Sequence, residues 1–158
     1  MSQPTPSQTI GPFFHEGLKW AVCTGIPEDA VRVAGVVRDR DGKPANDAIL
    51  EIWQPRWAAG PGGGLQRVFT GEDGGFEFFV PRPRATQVDA DVMLFTRGLV
   101  CGVLTRVHLA PDGAQASTPS AVPPERRATL VATRLADDRY EWNIRLQGDD
   151  ETVFFELT

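Results

Sequence analysis

From Arg139 to Leu146 apolar and polar side chains alternate one for one: Tyr140, Trp142, Ile144 and Leu146 against Arg139, Glu141, Asn143 and Arg145. A helix repeats every 3.6 residues and cannot keep such a set on one side. A strand sends successive side chains to opposite faces, so the segment is expected to be a strand with one buried face. Val153, Phe155 and Leu157 repeat the period. So does the stretch from residue 31, where Val31, Val33, Gly35 and Val37 interleave with Arg32, Ala34, Val36 and Arg38.

Turn chemistry separates these runs. Asp39-Arg40-Asp41-Gly42-Lys43-Pro44 suits a turn with Gly42 at positive φ. Residues 48–53 form a short apolar run, the mark of a central strand. Residues 66–70 and 76–80 flank Glu72-Asp73-Gly74-Gly75, which predicts a hairpin. Residues 92–95 and 99–109 read as strands joined by Thr96-Arg97-Gly98. A short helix is expected over 123–127, and 128–133 reads as a strand with helix as the competing state. Gly (16) and Pro (13) supply turns for eight or so strands among 158 residues, with no long helix. The expectation is an all-β chain: a single-domain antiparallel β-sandwich over 31–158, with a barrel as the other closed form. Residues 1–30 read as a polar, Pro-rich N-terminal arm with one apolar patch over 10–14.

The net charge of −5 argues against nucleic acid as a partner. No apolar run reaches the roughly 20 residues of a membrane helix. Met1-Ser2-Gln3-Pro4-Thr5-Pro6 has neither a basic n-region nor an apolar h-region. With Cys23 and Cys101 far apart, the expectation is a cytoplasmic chain with two reduced thiols.

Self-contained chemistry finds little support. His15-Glu16 opens like a zincin helix, but Lys19 stands where the second histidine belongs. His108 reads as a half-buried histidine on a strand. Asp149-Asp150-Glu151 fits no calcium loop and reads as a solvated turn. No serine sits in a Gly-x-Ser-x-Gly elbow. Cys101, within an apolar run, is expected to be a buried, inert thiol. Gly60 to Gly64 lacks the Gly-Lys-Ser/Thr ending of a phosphate loop. Trp20, Trp53, Trp57 and Trp142 raise a sugar platform, but Trp53 and Trp142 fall on expected strands and read as core.

Several segments remain. Thr5-Pro6-Ser7-Gln8-Thr9-Ile10-Gly11-Pro12-Phe13-Phe14-His15 opens the chain. Ala48-Ile49-Leu50-Glu51-Ile52-Trp53-Gln54-Pro55 and Leu94-Phe95-Thr96-Arg97-Gly98 lie in the middle. Arg126-Arg127-Ala128-Thr129-Leu130, Ile144-Arg145-Leu146-Gln147-Gly148 and Glu151-Thr152-Val153-Phe154-Phe155 follow. In this order and spacing, over about 5–16 and 31–157, they resemble the intradiol ring-cleaving dioxygenases, and among them the subunit type that carries no iron. The resemblance implies a β-sandwich and a role in aromatic catabolism. The family reaction cleaves 3,4-dihydroxybenzoate with O2 between its hydroxyl carbons, giving 3-carboxy-cis,cis-muconate. It implies Fe(III) held by two tyrosines and two histidines of a homologous β subunit, with no cofactor, metal ligand or catalytic residue in this chain.

The residue count agrees, because Tyr140 is the one tyrosine. The family's His-x-His falls at Asp89 and Asp91. Two aspartates on one strand face suit a hard cation, or solvated carboxylates. The resemblance also places Arg97, with the arm residues Thr9, Gly11 and Pro12, beside a carboxylated catechol at the interface with the iron-bearing partner. Such αβ units are expected to assemble into an oligomer. The chain is short over 20–31, after Pro55 and over 84–91, which leaves the ring substituent open. The rival readings are a transthyretin-like binding module and a self-sufficient enzyme with a metal at Asp89 and Asp91.

Overall fold

A computed structural model describes residues 29–54, 64–82 and 89–156. The period-two segments form strands, and nine are found among the described residues. These are β1 (Ala30–Arg38), β2 (Ile49–Trp53), β3 (Leu65–Phe69), β4 (Gly75–Pro81), β5 (Ala90–Phe95), β6 (Val103–Val107), β7 (Thr133–Ala136), β8 (Arg139–Glu141) and β9 (Ile144–Arg145). One sheet has the order β4-β1-β8-β7, with β9 also on β1; the other runs β3-β2-β5-β6. The expected sandwich is present. Its second sheet is antiparallel throughout, while β8 and β9 run parallel to β1.

Alternation becomes packing between the two sheets. Val31, Val33, Val37, Phe76, Phe78, Val80, Tyr140, Trp142 and Ile144 from one side meet Leu50, Ile52, Ala90, Val92, Leu94 and Val107 from the other. Fully burying a side chain such as Phe78 stabilises by roughly 1.5–3 kcal/mol. Trp142 stands edge-on to Phe76, with ring centroids 6.3 Å apart, and its Nε1 donates to Thr129 O at 2.9 Å. Gly35 interrupts the valine series for a steric reason. A Cβ there would lie 1.7 Å from the Trp142 carbonyl oxygen, so only glycine lets the two backbones meet.

Several expectations are corrected. The sequence around Gly74 is not a hairpin, since β3 pairs with β2 and β4 with β1. The turn itself forms, with Gly74 at φ 74° and Gly71 N–H bonded to Gly75 O. It carries the chain from one sheet to the other, because turn chemistry encodes a reversal and not the partner. Residues 99–102 are not strand; they complete a connection before β6 in which Val100 and Cys101 are exposed while Leu99 packs on the core. Over 128–133 the helical alternative prevails as a 3₁₀ turn at Ala128–Leu130, and the strand starts at Thr133.

A helix not anticipated, α1 (Pro111–Ser117), has Pro at its start and Asp112 in its first turn, both helix-start signals. The expected helix over 123–127 is α2 (Pro124–Arg127). Among the described residues beyond β9 the alternation yields one bridge, Phe155 to Leu104, although Val153 is buried. Leu157 lies outside the described residues. His108 is wholly buried rather than half-buried. Its backbone is bonded to Leu130 O and Ala132 N, and Ser117 Oγ approaches its Nε2 at 3.4 Å.

Candidate functional site

Arg97 follows β5 at one end of the second sheet. The antiparallel register pairs Ile49 with Phe95, and two residues further on it sets Asp47 across from Arg97. Gly98, at φ 87°, turns the chain immediately after the arginine. On the β2 side, Thr70 pins the bend before the strand. Its Oγ1 donates to Ala45 O at 2.7 Å and accepts from Ala48 N–H at 2.9 Å.

This places two groups, Asp47 and Asn46, against one guanidinium. Asp47 is only 6% exposed, and its Oδ1 accepts from the Thr96 hydroxyl at 2.7 Å. Its Oδ2 lies 3.1 Å from Arg97 Nε, but the N–H is not aligned on it, so that buried oxygen is held by charge and has no hydrogen bond. Arg97 Nη2 donates to Asn46 Oδ1 at 2.9 Å. The arginine side chain is still 62% exposed. The pairing with an acid of its own chain and the outward exposure therefore coexist. Thr9, Gly11 and Pro12, the other expected site residues, lie outside the described residues.

Asn46 and Asp47 were not anticipated. Read along the chain they belong to a connection between strands. Their proximity to Arg97 depends on the β2–β5 register, which a linear reading does not contain.

The other candidates resolve differently. Asp89 is not a solvated carboxylate, and Asp91 is only partly exposed. Asp89 is buried and accepts from Leu109 N–H at 2.7 Å, while Asp91 pairs with Arg106 at 2.8 Å. Arg106 also lies over the Phe155 ring, 4.9 Å from its centroid. Iron(III) of the family's kind needs tyrosinates and imidazoles converging on one point. Tyr140 is buried on β8 of the first sheet and His108 just beyond β6 of the second, and no group of three His, Cys, Asp or Glu side chains suited to a metal occurs among the described residues. The described residues do not fit that ion.

Cys101 is exposed beside the wholly exposed Val100, not buried as expected, because residues 99–102 leave the sheet. Trp53 lies on β2 but is 44% exposed, on the face away from Ile52. Trp142 is core. Asp149 and Asp150 are exposed in a turn, as read from the sequence. A concavity of about 660 Å³ on the outer face of the first sheet holds Arg32 and Glu77, which pair with each other, and does not include Arg97.

No family model matches this chain. It is 34% identical over 191 aligned positions to the protocatechuate 3,4-dioxygenase alpha chain of Burkholderia cepacia, covering 97% of each chain. It is 29% identical to the alpha chain of the same name from Pseudomonas putida, covering 97% of this chain and 96% of the relative. Among solved structures it resembles the dioxygenase domain of a dioxygenase carbohydrate-binding protein fusion from Streptomyces sp. SirexAA-E. That match has a TM-score of 0.58 at 21% identity and covers 96% of this chain and all of the other, a likeness of fold.

Proposed function

Because this chain belongs to the family of protocatechuate 3,4-dioxygenase alpha chains, we propose that it is the non-catalytic subunit of such an enzyme. It works with a homologous β subunit that carries Fe(III), and it lines that partner's site for a carboxylated catechol. The observation that carries this reading is the match to two alpha chains along nearly the full length of both. It sets aside a stand-alone transthyretin-like module. The ion pairs and hydrogen bonds of Asp89 and Asp91 speak against a metal of this chain's own at that place.

In this reading residues 1–30 pack as an arm on the partner and 31–158 form the sandwich. Arg97, Thr9, Gly11 and Pro12 face the substrate. A guanidinium offers two parallel donors in a fixed fork, the geometry a carboxylate accepts. Gly11 allows close backbone approach, and Pro12 holds a rigid bend. The reaction is O2-dependent cleavage of 3,4-dihydroxybenzoate to 3-carboxy-cis,cis-muconate, in an oligomer of αβ units. The exposed, unbridged Cys101 suits a reducing cytoplasmic setting.

The test is co-expression with a homologous chain bearing two tyrosines and a His-x-His. The complex should contain iron, show tyrosinate-to-iron charge-transfer colour and consume O2 with 3,4-dihydroxybenzoate. The isolated chain should be colourless and inactive. Stoichiometric iron and turnover in the isolated chain would refute the assignment.

A further inference from the structure

We infer that Asp47 and Asn46 are positioning residues that hold the Arg97 guanidinium with its outer edge presented to the substrate carboxylate. This rests on the reading that Arg97 faces a carboxylated catechol and adds how the fork is aimed. A guanidinium has two edges that can bind a carboxylate with parallel N–H bonds: Nε with one terminal nitrogen, or the two terminal nitrogens together. Here the first edge is turned toward the chain itself, by an ion pair and one hydrogen bond. Nε faces Asp47 Oδ2 at 3.1 Å and Nη2 donates to Asn46 Oδ1 at 2.9 Å. No acceptor among the described residues takes Nη1. That leaves Nη1 and the second N–H of Nη2 for a ligand, on a side chain that is 62% exposed.

The holder is more rigid than what it holds. Asp47 is buried, its other oxygen is tied to Thr96, and the bend that carries it is stapled by Thr70. An arginine on a mobile turn loses rotamer entropy when it captures a ligand. One already clamped along one edge has lost it in advance, which favours binding. Asp47 Oδ2 is the notable atom: a buried carboxylate oxygen that, among the described residues, has no hydrogen bond and one partner, this cation. Such an arrangement is poor as a stabilising contact and suited to aiming a charge.

The experiment uses the complex with the iron-bearing partner. It compares KM for 3,4-dihydroxybenzoate with the inhibition constant of unsubstituted catechol, which lacks the carboxylate. Asp47→Asn should raise KM about tenfold and Asn46→Ala about threefold, each shifting the catechol constant less than about twofold. In an Arg97→Ala background, Asp47→Asn should add less than about twofold, since there is no guanidinium left to aim.

Equal effects of Asp47→Asn on both ligands, or in both backgrounds, would mean the aspartate serves the fold, and would overturn the inference. If Asp47→Asn does not assemble, the exposed Asn46 decides, and an unchanged KM for Asn46→Ala overturns it. Arg97→Ala separates the two levels. If it raises KM while both other variants leave KM unchanged, only the positioning role fails. If it leaves KM unchanged, the substrate-facing reading of Arg97 fails as well.

Discussion

Replacing Thr70 by valine tests whether one hydroxyl fixes the bend beneath Arg97. Valine keeps the branched shape, so packing is nearly conserved and only the hydroxyl is lost. Two backbone groups then lose a partner: the N–H of Ala48, a residue with no exposed surface, and the carbonyl of Ala45. A buried polar group left unpaired costs about 1–3 kcal/mol. The half-buried Ala45 carbonyl can recruit water, so the expected loss is roughly 2–4 kcal/mol. For a domain of this length that corresponds to a fall in Tm of about 5–12 °C.

Urea and thermal unfolding of the complex measure it, with Thr70→Ser as the control. Serine keeps the hydroxyl and loses a methyl group, which costs roughly 1 kcal/mol. The bend carries Asn46 and Asp47, so Thr70→Val should also raise KM for the carboxylated substrate, and Thr70→Ser should not. A Thr70→Val complex within about 0.5 kcal/mol of the parent, a shift ordinary for neutral surface changes, would refute the stapling argument.

Two further outcomes follow from the packing. Gly35→Ala should destabilise by about 3 kcal/mol or more in urea unfolding, beyond the usual range for overpacking, because its Cβ meets backbone at 1.7 Å. Gly42→Ala, where φ is 77° but nothing lies within 4 Å, should cost only about 1–2 kcal/mol of dihedral strain. Arg106→Ala should lower stability more than Asp91→Asn, since it loses the Phe155 stacking as well as an ion pair that is partly screened by solvent. Millimolar Mg²⁺ or Ca²⁺ should leave the Tm of the parent and of Asp91→Asn equally unchanged; selective stabilisation of the parent would reveal a cation site.

Alternation was enough to identify the strands that face the core. Val31, Val33 and Val37, and Tyr140, Trp142 and Ile144, are buried as a period of two requires, because side-chain direction in a strand is a local property. Gly42 was readable for the same reason: a turn's φ depends on its own residues. Which strands pair was not readable. The Gly74 turn, the exposure of Cys101 and the pairing of β8 beside β1 depend on contacts between segments distant in sequence, and no short window contains them. The candidate site divides along the same line. Arg97 was singled out from the sequence through its motif. Asn46 and Asp47 join it only through the β2–β5 register, which sets residue 47 across from residue 97. Register arises when both sheets close on one core, since a slip of one residue would turn Leu50, Ile52, Val92 and Leu94 out toward water.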